Sequence, residues 1–176
     1  TQAITNDITH EYQDELHRPA FPYKFKFKTS GCPNDCVAAI ARADCSIIGT
    51  WRDAIRIDQE AVKAFAAGEL APNGNAHGTG PTALDIQKEV CDLCPTRCID
   101  WDGKNLKIWD ENCTRCMHCI NVMPRALRPG TDTGATILCG AKAPILEGAQ
   151  LSSVIIPFIK MEEPYEEFKD FVDKMW

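Results

Sequence analysis

The sequence predicts an α+β fold interrupted by a small cysteine-rich insert. Three observations carry the prediction: β-like apolar runs at both ends of the chain, helical periodicity in the last residues, and six of ten cysteines packed between Val90 and Gly130. The 176 residues are 44% hydrophobic and 25% charged, which suits one globular domain with a small satellite. Tyr23–Lys28 alternates aromatic and lysine residues, the period-2 signature of a strand with two unlike faces. Gly31–Asp35 is a turn, with Asn34 or Asp35 placed to cap a helix running through Ala41. Ser46–Trp51 and Ala54–Ile57 read as strands, and Asp58 caps a helix that ends at Gly68. Residues Ala71–Pro81 form a Gly-, Asn- and Pro-rich loop.

Inside the cysteine-rich stretch, Ile99–Trp101 and Leu106–Trp109 flank Asp102-Gly103, a hairpin signal. Beyond Gly130 the strand-like runs Thr136–Cys139 and Val154–Ile159 return. The chain closes on a helix whose Phe168, Phe171, Val172 and Met175 share one face. The expected domains are residues 1–89, an insert at 90–130, and a return to the first body at 131–176.

A net charge of −6 and a pI near 5.2 argue against a general binder of nucleic-acid backbones. The longest apolar stretch, around Val154–Ile159, is far shorter than the ~20 residues of a membrane span. No secretory segment precedes the cysteines, and they stand at metal-ligand spacings, so a cytoplasmic setting with reduced thiols is expected. The start at Thr1, without methionine and in mid-pattern, suggests a piece of a longer protein.

Cys113, Cys116 and Cys119 form C-x2-C-x2-C, the rhythm of bacterial ferredoxins, which continue with x3-C-P. Here Met123-Pro124 stands at that place, and a thioether cannot replace the anionic thiolate. The complementary C-P is Cys94-Pro95, which completes a four-thiolate set of Cys94, Cys113, Cys116 and Cys119 for one 4Fe–4S cluster. Three thiolates from one loop let its backbone N–H groups face the cluster's negative charge, while the fourth closes the cage from elsewhere. A zinc ribbon competes for the same segment, since Cys91-x2-Cys94, 18 residues, then Cys113-x2-Cys116 has its spacing. The ribbon leaves Cys119, Cys98 and both prolines unexplained, so the ferredoxin pattern fits at more points. Cys91, Cys98 and Cys139 read as small buried hydrophobes.

Cys32 and Cys36 form a C-x3-C on the turn into the first predicted helix. Before it, Lys24, Lys26 and Lys28 share one strand face opposite Tyr23, Phe25 and Phe27. Alternating lysines are either a solvated sheet face or a positive wall for an anion, with Arg42 able to join from the helix.

The run from Arg18 through Lys28 to Gly31-Cys32-Pro33-Asn34-Asp35-Cys36 closely resembles the alpha subunit of dissimilatory sulfite reductases. So do Cys113–Pro124 and Gly130–Thr136. The resemblance implies a sulfite-reductase-type mixed sheet and helices with an inserted ferredoxin-like 4Fe–4S domain. It further implies siroheme coupled to a second 4Fe–4S cluster, with Cys32 and Cys36 as one of that cluster's two cysteine pairs and Cys36 bridging to the siroheme iron. Lys24, Lys26, Lys28 and Arg42 then match basic residues of the siroheme and sulfite pocket. The other cysteine pair is expected before Thr1, so these 176 residues alone are not expected to reduce sulfite. The implied partners are a beta subunit in an α2β2 complex and an electron-donor protein, with sulfite as substrate. An assimilatory-type sulfite or nitrite reductase keeps the chemistry but less readily explains the insert. A stand-alone electron carrier would use the ferredoxin-type cluster only.

Overall fold

The computed structural model describes residues 2–14, 25–73, 80–141 and 148–175. In chain order its elements are α1 (Gln2–Glu11), β1 (Phe27–Ser30), α2 (Ala39–Arg42), β2 (Cys45–Trp51), β3 (Arg56–Ile57) and α3 (Gln59–Ala67). A π-helical turn (Gln87–Cys91), β4 (Ile99–Trp101), β5 (Leu106–Ile108), a 3-10 turn (Asp110–Asn112) and α4 (His118–Val122) follow. The chain then forms β6 (Leu127–Arg128), β7 (Thr133–Cys139), β8 (Ser153–Ile159) and α5 (Glu166–Met175). It divides into two compact units, Thr1–Arg52 with Asp132–Trp176, and Asp53–Thr131. The expected insert at 90–130 lies within the second unit, which begins earlier, at Asp53.

The first unit is built on a mixed four-stranded sheet in the order β1-β2-β7-β8. β1 runs parallel to β2, while β7 is antiparallel to both β2 and β8. Alternation puts Cys45 and Ile47 of β2 on one face with Ala135 and Ile137 of β7. There they meet Ile8 of α1 and Phe168 and Val172 of α5, all nearly inaccessible. The helical face read from Phe168, Phe171 and Val172 therefore packs where its period points it. On the opposite face Ser46 is fully buried, and its hydroxyl donates to the Ala39 carbonyl at 2.8 Å, which fixes α2 against the sheet.

The strand expected over Tyr23–Lys28 begins at Phe27 and runs on to Ser30. Residues 23 and 24 lie outside the described residues. Lys26 precedes the ladder: its carbonyl accepts from the Asp44 and Cys45 amides, and its amide donates to the Asp44 carboxylate at 2.7 Å. Phe25 and Phe27 turn to the core as the alternation requires, and Phe27 packs edge-on against Phe168. The helix α1 carries no motif that sequence reasoning used. It is held by Ile8 and by Tyr12, whose hydroxyl donates to the Lys169 carbonyl and to Asp173.

In the second unit Asp58 caps α3 by accepting from the Glu60 and Ala61 amides, and Gly68 ends it in a left-handed conformation at φ 80°. The strand read over Ala54–Ile57 shrinks to Arg56–Ile57, paired antiparallel with Leu127–Arg128. β4 and β5 form the expected hairpin, turned at Asp102, whose carboxylate accepts from the Lys104 and Asn105 amides. Gln59 ties α3 to this hairpin by a reciprocal pair of bonds with the Leu106 backbone, 2.8 and 2.9 Å. Asp53 staples the entry of the unit to its exit by accepting from the amide and hydroxyl of Thr131.

Candidate metal centre

Two short segments of the second unit build a cysteine-lined cavity. The first is a turn in which the Arg97 amide donates to the Cys94 carbonyl at 3.1 Å. Pro95 supplies the fixed φ that such a turn favours, and Arg97 reverses the chain at φ 53°. The second is the loop from Cys113 to Cys119, where Arg115 and Met117 take left-handed conformations at φ 56° and 69°. Those kinks turn successive cysteines inward before α4 begins. The Arg115 amide donates to the Cys113 sulfur at 3.4 Å, and its guanidinium folds back onto the Cys113 carbonyl at 3.2 Å. Such N–H groups are what a negatively charged cluster requires of its loop.

The cavity, about 340 Å³ of atom-free space with its mouth included, is lined by Cys94, Cys98, Cys113, Cys116 and Cys119. All four predicted ferredoxin-type ligands thus face one space. Cys91 is buried outside that lining. Met123, at the position where a ferredoxin would place its remote cysteine, is fully buried as an ordinary core side chain. Among the described residues no three His, Cys, Asp or Glu side chains converge on a single-ion site. A polynuclear group takes its thiolates at separate corners. A soft, thiol-only ligand set of this kind suits iron–sulfur chemistry.

Burial dominates the thiol electrostatics. It pushes Cys119 up to about 12, with the neighbouring Cys113 adding to the effect. Burial likewise raises Cys98 to about 11 and Cys91 to about 11. Cys94 differs: burial raises it, but hydrogen bonds from the Cys98 and Thr96 backbone and side chains outweigh burial and hold it low. A metal entering the cavity therefore displaces the proton that burial holds on Cys119.

Sequence reasoning left Cys98 without a role, and it sits with its sulfur 3.6 Å from that of Cys94. It also missed His118, which lines the cavity with Nε2 2.9 Å from the Glu89 carbonyl. The left-handed positions carried no signal, since none of Arg97, Arg115 and Met117 is glycine or asparagine.

In the first unit the C-x3-C segment is a tight loop. The Asp35 amide donates to the Cys32 carbonyl at 3.1 Å, with Asp35 itself at φ 45°. Its carboxylate accepts from the Ala39 and Ile40 amides, 2.9 Å each, so Asp35 serves the first amides of α2, although the helix starts later than the sequence suggested, with Ala38 at its N-cap position. Cys32 is half-buried and Cys36 exposed. The Lys28 ammonium donates to the Val37 carbonyl at 3.2 Å, beside Cys36. Lys26 and Arg42 are exposed, and Lys24 lies outside the described residues. The fold thus joins Lys28 to the C-x3-C loop directly.

The family model for the nitrite and sulphite reductase 4Fe-4S domain matches residues 1–176. The chain is 59% identical over 177 residues to the dissimilatory-type sulfite reductase subunit alpha of Nitratidesulfovibrio vulgaris, covering all of this chain and 40% of that protein. It is 42% identical to the corresponding subunit of Allochromatium vinosum, over 94% of this chain and 38% of the relative. A crystal structure of dissimilatory sulfite reductase I superposes on it with a TM-score of 0.93 at 58% identity, over 100% of this chain and 41% of that one. The chain spans about 40% of the length of these relatives. It belongs to the nitrite and sulphite reductase 4Fe-4S domain family.

Proposed function

We propose that this chain is part of the alpha subunit of a dissimilatory sulfite reductase, an enzyme that reduces sulfite toward sulfide. The observation that carries the reading is 59% identity along the whole chain to a dissimilatory-type alpha subunit. An assimilatory-type reductase has less support, because all three curated relatives bear the dissimilatory-type name.

In this reading residues 90–130 are a ferredoxin-type domain. Cys94, Cys113, Cys116 and Cys119 hold one 4Fe–4S cluster, supported by their shared cavity and by the amide aimed at the Cys113 sulfur. Residues 1–89 and 131–176 contribute to a second centre. There Cys32 and Cys36 would supply half the thiolates of a siroheme-linked 4Fe–4S cluster. When bound, these groups supply the successive one-electron transfers that sulfite reduction consumes. Lys24, Lys26, Lys28 and Arg42 attract the anionic substrate and siroheme carboxylates and offset their charge. Lys28 spends one N–H on the Val37 carbonyl and keeps two donors for an anion. Its carbonyl contact sets the ammonium beside the loop that presents Cys36. The full assembly would be a cytoplasmic α2β2 complex with a beta subunit, fed by an electron-donor protein.

The test is anaerobic iron and acid-labile sulfide analysis of the full-length subunit, with its visible spectrum and an EPR spectrum after reduction. Tetrapyrrole absorbance, with loss of about four irons on Cys113→Ser, supports both halves of the reading. Iron without tetrapyrrole leaves only the electron-carrier function. Zinc without acid-labile sulfide, after reconstitution with iron and sulfide has failed, removes the redox reading altogether.

A further inference from the structure

Cys98 is the cavity cysteine that the four-ligand set leaves out. Its sulfur lies 3.6 Å from that of Cys94, van der Waals contact rather than a bond, and both side chains are less than a tenth exposed. Among the described residues this is the one pair of cavity thiols placed to hydrogen-bond each other. The contact follows from the backbone: the turn at Cys94-Pro95-Thr96-Arg97, closed by the Arg97 amide and reversed at Arg97, brings residue 98 back over residue 94. A disulfide requires the sulfurs to close to about 2.05 Å. Two sulfurs in contact also cannot serve two corners of one cluster, so Cys98 stands ready wherever Cys94 is not engaged.

We propose that Cys94 and Cys98 are a disulfide-forming pair that closes when the cluster is lost under oxidising conditions and bars its reassembly until reduced. The oxidant is a small peroxide, which can enter the cavity where a bulky disulfide cannot. Cys94 sulfur attacks hydrogen peroxide, breaking the O–O bond and giving a sulfenic acid and water. The Cys98 sulfur then displaces the hydroxyl group from Cys94 as a second water. The S–S bond forms as two thiols lose two protons and two electrons, and one peroxide becomes two waters. The bond withdraws the one ligand that does not come from the Cys113–Cys119 loop, so three thiolates remain and the iron of the fourth corner has no protein ligand. A thiol reductant restores Cys94 and with it iron uptake.

This inference rests on Cys94 being a cluster ligand, and the experiment separates the two claims. Iron and acid-labile sulfide are first measured on the full-length subunit. The metal is then stripped anaerobically with a chelator, the protein is treated with hydrogen peroxide, and remaining thiols are alkylated before tryptic digestion. Trypsin cuts between Arg97 and Cys98, so the bond appears as peptide 89–97 joined to peptide 98–104. Fragment ions distinguish Cys94 from Cys91 within the first peptide. The expected result is the Cys94–Cys98 link, with iron reloading blocked until dithiothreitol is added. In Cys98→Ser the link is absent, while loading under reducing conditions matches the parent and shows that Cys98 is not itself a required ligand. Free Cys94 and Cys98 after treatment, or a link to Cys91 instead, overturns the inference while the cluster reading stands. Failure of the untreated subunit to hold or regain iron and sulfide overturns both.

Discussion

Gly49, in the middle of β2, faces the start of the C-x3-C loop closely enough to make Gly49→Ala a sharp test of how that loop is held. A Cβ built on Gly49 falls inside contact distance of the Gly31 carbonyl oxygen and 2.8 Å from the Gly31 carbonyl carbon. Ordinary carbon contacts begin near 3.4 Å, so the Gly31 peptide must retreat by roughly 0.6 Å or more. The obstructing atoms are backbone, which no rotamer change can move aside. Overpacking of this kind costs about 1–3 kcal/mol. At about 2–4 °C per kcal/mol for a chain of this size, a mid-range ~2 kcal/mol lowers Tm by about 4–8 °C. Because Gly31 precedes Cys32, the displaced peptide also carries that half-buried thiol with it, so its alkylation rate by iodoacetamide rises. The control is Gly80→Ala, where a Cβ meets nothing within 4 Å, and which should leave both readings unchanged. A Gly49→Ala protein with the parent's Tm and the parent's Cys32 labelling rate would show that the loop does not lean on β2 as described.

Asp35→Ala removes two backbone caps on α2 and should cost about 1 kcal/mol in denaturant unfolding, with faster alkylation of Cys36. Asp35→Asn keeps one acceptor but sets its amide NH2 against the other backbone N–H, so it should recover no more than half of that loss. Phe168→Ala empties a fully buried ring site against Phe27 and Phe171, and a loss of about 3–5 kcal/mol is expected; a change below about 1 kcal/mol would contradict the packing. Asp132 bonds Lys160 and Arg52, and first the Lys160 hydrogen bond, then Arg52, hold its carboxyl below the ordinary carboxylate value. The lowered value makes its contribution present above the unfolded pKa of ~3.9 and lost as pH falls through the folded one. The stability gap between parent and Asp132→Asn should therefore be full near neutrality and close in acid. A gap that persists in strong acid would exclude the ion pair as its source.

Much of the local structure was legible because its causes are local. Asp58 and Gly68 bracket α3 as their capping chemistry demands, and Asp102-Gly103 turns the hairpin between β4 and β5. The apolar face of α5 reached the core its period indicated. Among the described residues the strand before Cys32 covers Phe27–Ser30, two residues past the Lys28 end read from the alternation, and Asp44, eighteen residues away in sequence, binds the Lys26 amide just ahead of it. Helix α1 was invisible, since Ile8 and Tyr12 acquire their meaning from partners on α5 more than 150 residues away.

The same division holds at the candidate metal site. Spacing together with the prolines at 95 and 124 pointed to Cys94, Cys113, Cys116 and Cys119 as candidate ligands, while a zinc-ribbon spacing competed for Cys91, Cys94, Cys113 and Cys116. The sequence also determined that Met123 could not be a ligand, since no thioether carries a thiolate's charge. Only the tertiary structure decided that Cys98 shares the cavity while Cys91 lies outside its lining, and that Lys28 reaches the carbonyl beside Cys36. Those outcomes depend on left-handed backbone at Arg97, Arg115 and Met117 and on packing between distant segments. Neither leaves a mark in residue type or period, because conformations that tertiary contacts impose are not those the residues prefer alone.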